Sequence, residues 1–249
     1  PINEDLSLMR TTLMPQMIHA ASRNMKRGRM EGRVFELGNK FIPKSLPLTE
    51  YPDEKPTLAM VAWGSGENFF TLKGMVDVVA DTFGLTFEYV PAAKPFLHPY
   101  QTAEVFCDGE VVGFLGKVTY EIMKAEDMRE AAYVSEIDLT LLEKYYDKVT
   151  KFAPLPKYDE ESRDLALVMD KAVSCGQVEK AIKDACSYVT SVTLFDVYEG
   201  AQIGLDKKSM AFSIKFTPRD EEFGADAVDG FVKKILKKLK NELQIDLRS

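Results

Sequence analysis

Residues 209–216 read SMAFSIKF, and every second side chain in this stretch is large and apolar. Side chains of a β-strand alternate between the two faces of its sheet, so the pattern predicts a strand with one buried face. The set expected to be buried is Met210, Phe212, Ile214 and Phe216, and the set expected on the opposite face is Ser209, Ala211, Ser213 and Lys215.

The sequence on both sides of this strand completes a β-α-β-β-α-β pattern. Strands are predicted at 165–170, 191–198, 209–216 and 245–247, and helices at 176–186 and 225–243. This order is typical of the ferredoxin-like fold, in which two helices cover one face of a four-stranded sheet. The other face is then free to meet a ligand.

Alternation also assigns the side chains of the two neighbouring strands. Phe195 and Val197 are expected to point towards the helices, which leaves Asp196 and Tyr198 on the open face. In the first strand the same argument leaves Ala166 outside. An exposed ring offers a stacking surface for a nucleic-acid base, and a carboxylate accepts hydrogen bonds from a base edge. The alternative interpretation is a solvated sheet face that carries a tyrosine.

The last predicted helix has an apolar stripe and a lysine-rich face. The lysines are Lys233, Lys234, Lys237, Lys238 and Lys240. Such a face is either solvated or placed near phosphate groups.

The segment 152–158 contains two prolines and predicts a domain boundary, which gives domains 1–151 and 152–249. In the first domain Asp108-Gly109 stands between two apolar strand patterns. Asp-Gly is a strong signal for a two-residue hairpin turn, because both residues tolerate a positive φ.

Composition limits the classes of function. The chain has 249 residues with 32 Lys and Arg against 39 Asp and Glu, a net charge of −7, which argues against nonspecific binding of DNA. No apolar run approaches the roughly 20 residues that span a bilayer. Three scattered cysteines without metal spacing predict reduced thiols, no metal site and a cytoplasmic protein. The chain begins at Pro1 in a polar segment, which suggests a piece of a longer protein.

Seven stretches carry a resemblance to one known family. They are residues 8–15 (LMRTTLMP), 33–38 (RVFELG), 69–74 (FFTLKG), 98–103 (HPYQTA), 162–168 (SRDLALV), 194–200 (LFDVYEG) and 207–211 (KKSMA). In order and spacing they resemble the C-terminal part of the bacterial phenylalanyl-tRNA synthetase beta subunit. The resemblance implies an α+β chain: a class II synthetase-like antiparallel sheet with helices, followed by a ferredoxin-like βαββαβ anticodon-binding domain.

The resemblance also implies a function. The first domain would pack, without catalytic residues of its own, against the catalytic alpha subunit in an assembly of two alpha and two beta subunits. The second domain would bind the anticodon stem-loop of phenylalanine tRNA. The family's anticodon contacts fall on Asp196, Tyr198, Ser209 and Ala166. ATP and magnesium would belong to the holoenzyme, with no cofactor in this part of it.

A cationic clamp for phosphates is missing from the glycine-rich segments of the first domain. Gly64-Ser65-Gly66 is followed by Glu67 and Asn68, and Gly116 is followed by Lys117 rather than an arginine. Class II catalytic domains hold phosphates with cationic groups, so the pattern favours a noncatalytic module. Two alternatives remain: an independent class II-like ligase, and a structural or small-molecule-sensing ferredoxin-like module.

Overall fold

The computed structural model describes residues 7–146, 152, 156–219, 222–224 and 226–248. The chain divides into two compact units, 1–150 and 151–249. Residues 153–155 of the predicted boundary segment lie outside the described residues. No helix in the described ranges is long and apolar enough to cross a membrane.

The first unit is built on a six-stranded antiparallel sheet in the order β1-β2-β6-β5-β4-β3. Its elements are α1 (Met14–Lys26), β1 (Gly32–Ile42), β2 (Asp53–Trp63), α2 (Phe69–Phe83), β3 (Glu88–Pro91), β4 (Leu97–Cys107), β5 (Glu110–Val118), α3 (Tyr120–Ala125), β6 (Ala132–Asp138) and α4 (Leu139–Tyr145). The predicted hairpin is confirmed: Asp108 and Gly109 join β4 to β5 with φ values of 52° and 82°.

Each face of this sheet carries its own apolar core. Helix α1 packs on one face, where Met17, Ile18 and Ala21 meet Val61 and Val134. Helices α2 and α4 pack on the other face, in a second core. Helix α2 begins at Asn68, whose side chain accepts hydrogen bonds from the N–H groups of residues 70 and 71, and it ends at Gly84 in the left-handed region.

The second unit is a four-stranded antiparallel sheet in the order β10-β7-β9-β8 with two helices. Its elements are β7 (Glu161–Asp170), α5 (Cys175–Ala185), β8 (Val189–Tyr198), β9 (Lys207–Phe216), α6 (Ala227–Leu243) and β10 (Asp246–Leu247), with a 3-10 turn at Ala201–Ile203 between β8 and β9. The predicted α+β class and βαββαβ order are confirmed. The predicted start of the last helix, residue 225, lies outside the described residues.

The core of the second unit lies between the sheet and the helices. All four apolar side chains of β9 that were predicted to be buried are at most 5% exposed. Ile182 of α5 and Ile235 and Leu239 of α6 pack against them, each fully buried. Burial of this apolar surface is the main stabilising contribution, at about 25 cal/mol per Å².

The two side chains of β8 that were predicted to point inward are not buried: Val197 is 50% exposed although it pairs with the buried Met210, and the prediction for Phe195 is wrong. Phe195 was expected to face the helices, but its side chain is 58% exposed. The ladder between β8 and β9 shifts register here: Leu194 pairs with Phe212, Asp196 pairs with the next residue, Ala211, and Phe195 has no partner between them. This arrangement is a β-bulge, in which one strand carries an extra residue. Leu194, rather than Phe195, packs against the core.

The bulge generates a stability prediction. Phe212→Ala should lower the free energy of unfolding of the second unit by about 3–5 kcal/mol, because it leaves a cavity in a fully buried core. Phe195→Ala on the neighbouring strand should change it by less than about 1 kcal/mol, as surface substitutions usually do. Urea unfolding of the two variants gives the comparison. Equal losses would show that Phe195 is part of the core.

Candidate nucleic-acid interface

The sheet of the second unit brings all four sequence-predicted site residues to its uncovered face. Directly opposed residues of neighbouring strands project from the same face of a sheet. Ala166 of β7 pairs with Ala211 of β9, which pairs with Asp196 of β8. Two residues further along these strands, Ser209 of β9 pairs with Tyr198 of β8. The four positions therefore form two adjacent rows on one surface.

The bulge determines that Asp196 and Tyr198 belong to this surface. Leu194 faces the core, so a regular strand would carry Asp196 to the core side as well, two residues further on. The extra residue, Phe195, reverses the alternation once. Asp196 and Tyr198 then emerge opposite Ala211 and Ser209. The predicted faces of Asp196 and Tyr198 are therefore correct, although the predicted face of Phe195 is wrong.

Asp196 is the most accessible of the four residues. It is exposed, and within the described ranges its carboxylate makes no hydrogen bond or ion pair. A carboxylate in this state keeps its full capacity as an acceptor for the N–H groups of a base edge.

Tyr198 is half-buried and carries a cation on its ring. The guanidinium carbon of Arg248 lies 4.9 Å from the ring centroid, within the range of a cation–π interaction. The backbone N–H of Arg248 donates to the carbonyl of Ala166 over 2.8 Å, which fixes the end of β10 beside β7. Sequence reasoning missed Arg248. The available signal was the predicted edge strand 245–247, which ends one residue before it.

Ser209 projects from the same face of the sheet as Tyr198, but its side chain is covered. Its exposed fraction is 3%, while the residue opposite it on β8, Tyr198, stays accessible. The turn Ala201–Ile203 contacts β9 at this end of the sheet. Ser209 therefore forms the floor of the candidate site in this conformation, and Ala166, which is half-buried, forms the next part of that floor.

A shallow cavity of about 360 Å³ opens beside the Tyr198–Arg248 pair. Its lining residues are Val168, Gln202, Ile203, Asp246, Leu247 and Arg248. Lys240 donates to the Asp246 carboxylate over 2.7 Å, and this hydrogen bond lowers the pKa of Asp246. The cavity therefore has a negative side at Asp246 and a positive side at Arg248.

The lysine face of α6 is exposed but partly neutralised. Lys238 pairs with Glu242 at 2.9 Å, and Lys240 pairs with Asp246 at 2.7 Å. Lys233, Lys234 and Lys237 are exposed, and α6 packs on the covered side of the sheet, away from the four site residues.

The first unit contains a buried carboxylate, that of Glu136 on β6. This carboxylate is 5% exposed and accepts hydrogen bonds from the Thr12 hydroxyl at 2.6 Å and the Leu13 N–H at 2.9 Å. The Lys40 ammonium lies 3.3 Å from Glu136 and 3.8 Å from Asp138. The start of α1 and strand β1 are thereby fastened to the centre of the sheet.

These residues do not fit a nucleotide triphosphate. Phosphates need unpaired cations, and three cations near the sheet already face carboxylates: Arg10 pairs with Glu36, Lys94 with Glu104 at 2.9 Å, and Arg33 with Glu67 at 2.8 Å. In the part of the chain that the structure describes, no group of three or more His, Cys, Asp or Glu side chains is placed to hold a metal ion.

Comparison with known proteins gives matches to both units. The family model described as the phenylalanyl tRNA synthetase beta chain CLM domain matches residues 1–139. The model described as the ferredoxin-fold anticodon binding domain matches residues 156–248. The four site residues lie within the second match.

Similar curated proteins carry the name phenylalanine–tRNA ligase beta subunit. The one from Geobacillus kaustophilus is 35% identical over 90% of this chain and 30% of its own length. Those from Clostridium tetani and Bacillus subtilis are 33% and 32% identical over 100% of this chain and 32% of their own lengths. The chain thus spans about a third of the length of these relatives. Among solved structures, a pyrrolysyl-tRNA synthetase from Desulfitobacterium hafniense gives a TM-score of 0.46 at 16% identity, over 55% of this chain and 49% of that chain.

The paired cations of the first unit generate a prediction about catalysis. The chain by itself should catalyse no phenylalanine-dependent exchange of pyrophosphate into ATP. Its glycine-rich segments lack an arginine that would hold the phosphates, and Arg10, Arg33 and Lys94 are already paired with carboxylates. A radiolabel exchange assay on a clean preparation measures this directly. Exchange activity that a single substitution within this chain abolishes would contradict the prediction.

Proposed function

The chain belongs to the phenylalanyl-tRNA synthetase beta chain family, and from that premise we propose that it is a noncatalytic part of phenylalanine–tRNA ligase. Its second unit binds the anticodon stem-loop of phenylalanine tRNA during aminoacylation. The observation that carries this proposal is the uncovered sheet face, where an unpaired carboxylate, Asp196, lies one row from an aromatic ring, Tyr198, under a guanidinium.

The chemistry of this face suits an unpaired base. A base stacks on an aromatic ring whatever its identity, because every base has a π-face. The Asp196 carboxylate accepts hydrogen bonds and cannot donate them, so it favours a base edge that presents N–H groups. The Watson–Crick edge of guanine presents two such donors. We propose that guanine in the first anticodon position stacks on Tyr198 and donates to Asp196.

Arg248 supplies the positive charge that the site otherwise lacks. Its guanidinium is exposed and lies over the Tyr198 ring. A guanidinium stacks on aromatic rings, and it forms bidentate hydrogen bonds with phosphate oxygens. Arg248 is therefore suited to hold the sugar-phosphate backbone next to the stacked base. With one arginine and an acidic chain overall, affinity should depend only weakly on salt concentration.

The first unit supplies the proposed contact with the catalytic alpha subunit. The side chains of Phe35 and Leu37 are 69% and 63% exposed on β1, opposite Met60 and Leu58 of β2. They extend the sheet face that α2 and α4 cover elsewhere, beyond the edge of those helices. Exposed apolar area that continues a core is typical of a protein interface. We propose that alpha covers it in an assembly of two alpha and two beta subunits.

The remaining parts of the proposal concern the complete enzyme. ATP and magnesium belong to the complete enzyme, which works in the cytoplasm. An independent ligase is disfavoured because Arg10, Lys40 and Lys94 of the first unit are already paired with carboxylates. A module that senses a small molecule lacks a supporting feature as specific as the Asp196–Tyr198 rows.

Tyr198→Ala should weaken binding of the anticodon stem-loop by about tenfold or more. Stacking on an aromatic ring contributes roughly 1–3 kcal/mol per base, and 1.4 kcal/mol corresponds to one decade of affinity. Affinity for phenylalanine tRNA in the complete enzyme, measured by filter binding and by aminoacylation, tests this. Tyr51→Ala is the control: it removes a tyrosine ring that is 93% exposed in the first unit, outside the domain that carries the open face.

Asp196→Asn and Ser209→Ala refine the same assignment. Asparagine keeps the shape of Asp196 but adds donors, so this variant should mainly erode the preference for guanine over adenine at the first anticodon position. Ser209→Ala should have a smaller effect than Tyr198→Ala, because Ser209 is buried. If Tyr198→Ala leaves affinity and guanine preference unchanged, the open face is not the anticodon site.

The double substitution Phe35→Ser, Leu37→Ser should weaken binding to the alpha subunit by about tenfold or more, as expected for apolar anchors at the centre of an interface. Isothermal titration or pull-down with purified alpha measures the change. Val78→Ser, at a side chain of α2 that is 63% exposed, serves as the control. Unchanged affinity of the double variant would remove β1 from the interface.

A further inference from the structure

The hydroxyl end of the Tyr198 ring lies directly against the backbone of Gly200. A Cβ atom built on Gly200 would fall 2.7 Å from Cζ and 3.1 Å from Cε1 of Tyr198, and closer still to Oη. Real Cβ contacts below 3.0 Å essentially never occur. The ring can keep its position only while residue 200 has no side chain.

The backbone conformation does not explain the glycine. Gly200 has φ −174° and ψ 162°, an extended conformation that any residue adopts. Its position two residues after Tyr198 does explain it. Side chains two apart on a strand share a face and lean along the strand, so the Tyr198 ring reaches the space above residue 200. Because Gly200 has no Cβ atom, the hydroxyl end of the Tyr198 ring can contact the backbone of residue 200.

Two further contacts hold the same region. The guanidinium of Arg248 lies over the ring, 4.9 Å from its centroid. The carbonyl of Gly200 accepts a hydrogen bond from the N–H of Ile203 at 3.2 Å, which closes the turn after Tyr198. The ring is therefore held by Arg248 on its face and by the bare backbone at its hydroxyl end.

We propose that Gly200 is a positioning residue for RNA recognition: by admitting the Tyr198 ring, it fixes the plane on which the base stacks. This inference rests on the proposed anticodon function of the open face. A ring held in its bound orientation loses less conformational freedom when a base arrives, so affinity rises without a new contact to RNA. A methyl group at residue 200 displaces the ring and removes that advantage.

The test is Gly200→Ala in the complete enzyme, with affinity for phenylalanine tRNA and its anticodon stem-loop as the readout. Affinity should fall about three- to tenfold, a part of the full stacking contribution of Tyr198. The KM for tRNA should rise, while kcat at saturating tRNA stays close to wild type. Gly176→Ala, in the first turn of α5 with no atom within 4 Å of its new Cβ, is the matched control.

A double-mutant cycle shows whether Gly200 acts through the ring. In a Tyr198→Ala background, Gly200→Ala should cost nothing further. The ring resonances of Tyr198, assigned in ¹³C-tyrosine-labelled protein, should shift in Gly200→Ala and stay in place in Gly176→Ala. Tyr198→Phe combined with Gly200→Ala removes the atom nearest to the added methyl, and it should bind more tightly than Gly200→Ala alone.

The outcomes separate this inference from the proposed function. If Tyr198→Ala weakens binding and Gly200→Ala does not, Gly200 has no positioning role while the anticodon site stands. Equal losses from Gly200→Ala with and without the Tyr198 ring also overturn the inference. If neither variant changes affinity while the Tyr198 resonances shift, the proposed function itself fails.

Discussion

The chemistry of the second unit depends on one extra residue in β8. Because Phe195 is left out of the ladder with β9, the side chains before it and after it follow opposite alternations. Leu194 can then complete the core while Asp196 and Tyr198 reach the open face. An aromatic ring and an unpaired carboxylate thus reach the surface while the apolar side chains of β9 stay buried beneath them, and the bulged Phe195 is exposed to solvent.

The face of the sheet that is buried could be predicted from the alternation of β9, where large apolar side chains and small or polar ones are cleanly separated. The helix α6 was predictable for the same reason, from its buried stripe and its lysines. The bulge was not, because Leu194 and Phe195 are both apolar and a period of two cannot say which of them turns inward. The position of Arg248 over the Tyr198 ring and the burial of Ser209 could not be predicted, for another reason. Both result from contacts between segments that only the folded sheet brings together.

The two units differ in where their charged side chains lie and in whether those side chains are paired. In the first, Glu136 and Asp138 lie almost buried and receive Lys40, while Arg10 is bound to Glu36, so charged groups serve to fasten α1 and β1 to the sheet. Removing one member of such a buried pair is costly, which favours fixed internal partners over exchange with a ligand. In the second unit Asp196 and Arg248 stay at the surface, where charge remains available for recognition. This difference supports the proposed division of the chain into a scaffold and a binding surface.

The outer strands of the two sheets also differ in regularity. Strand β8 ends its sheet with a bulge, which interrupts the row of free backbone N–H and C=O groups that another strand would need. Strand β1 ends the larger sheet as a regular run of 11 residues with exposed Phe35 and Leu37, and only near its end does the Phe41 N–H reach the Arg10 carbonyl. Edge-to-edge self-pairing is therefore a hazard of β1 and not of β8. At high protein concentration we therefore expect self-association to begin at β1, whose edge is longer than those of β3 and β10, the other two outer strands.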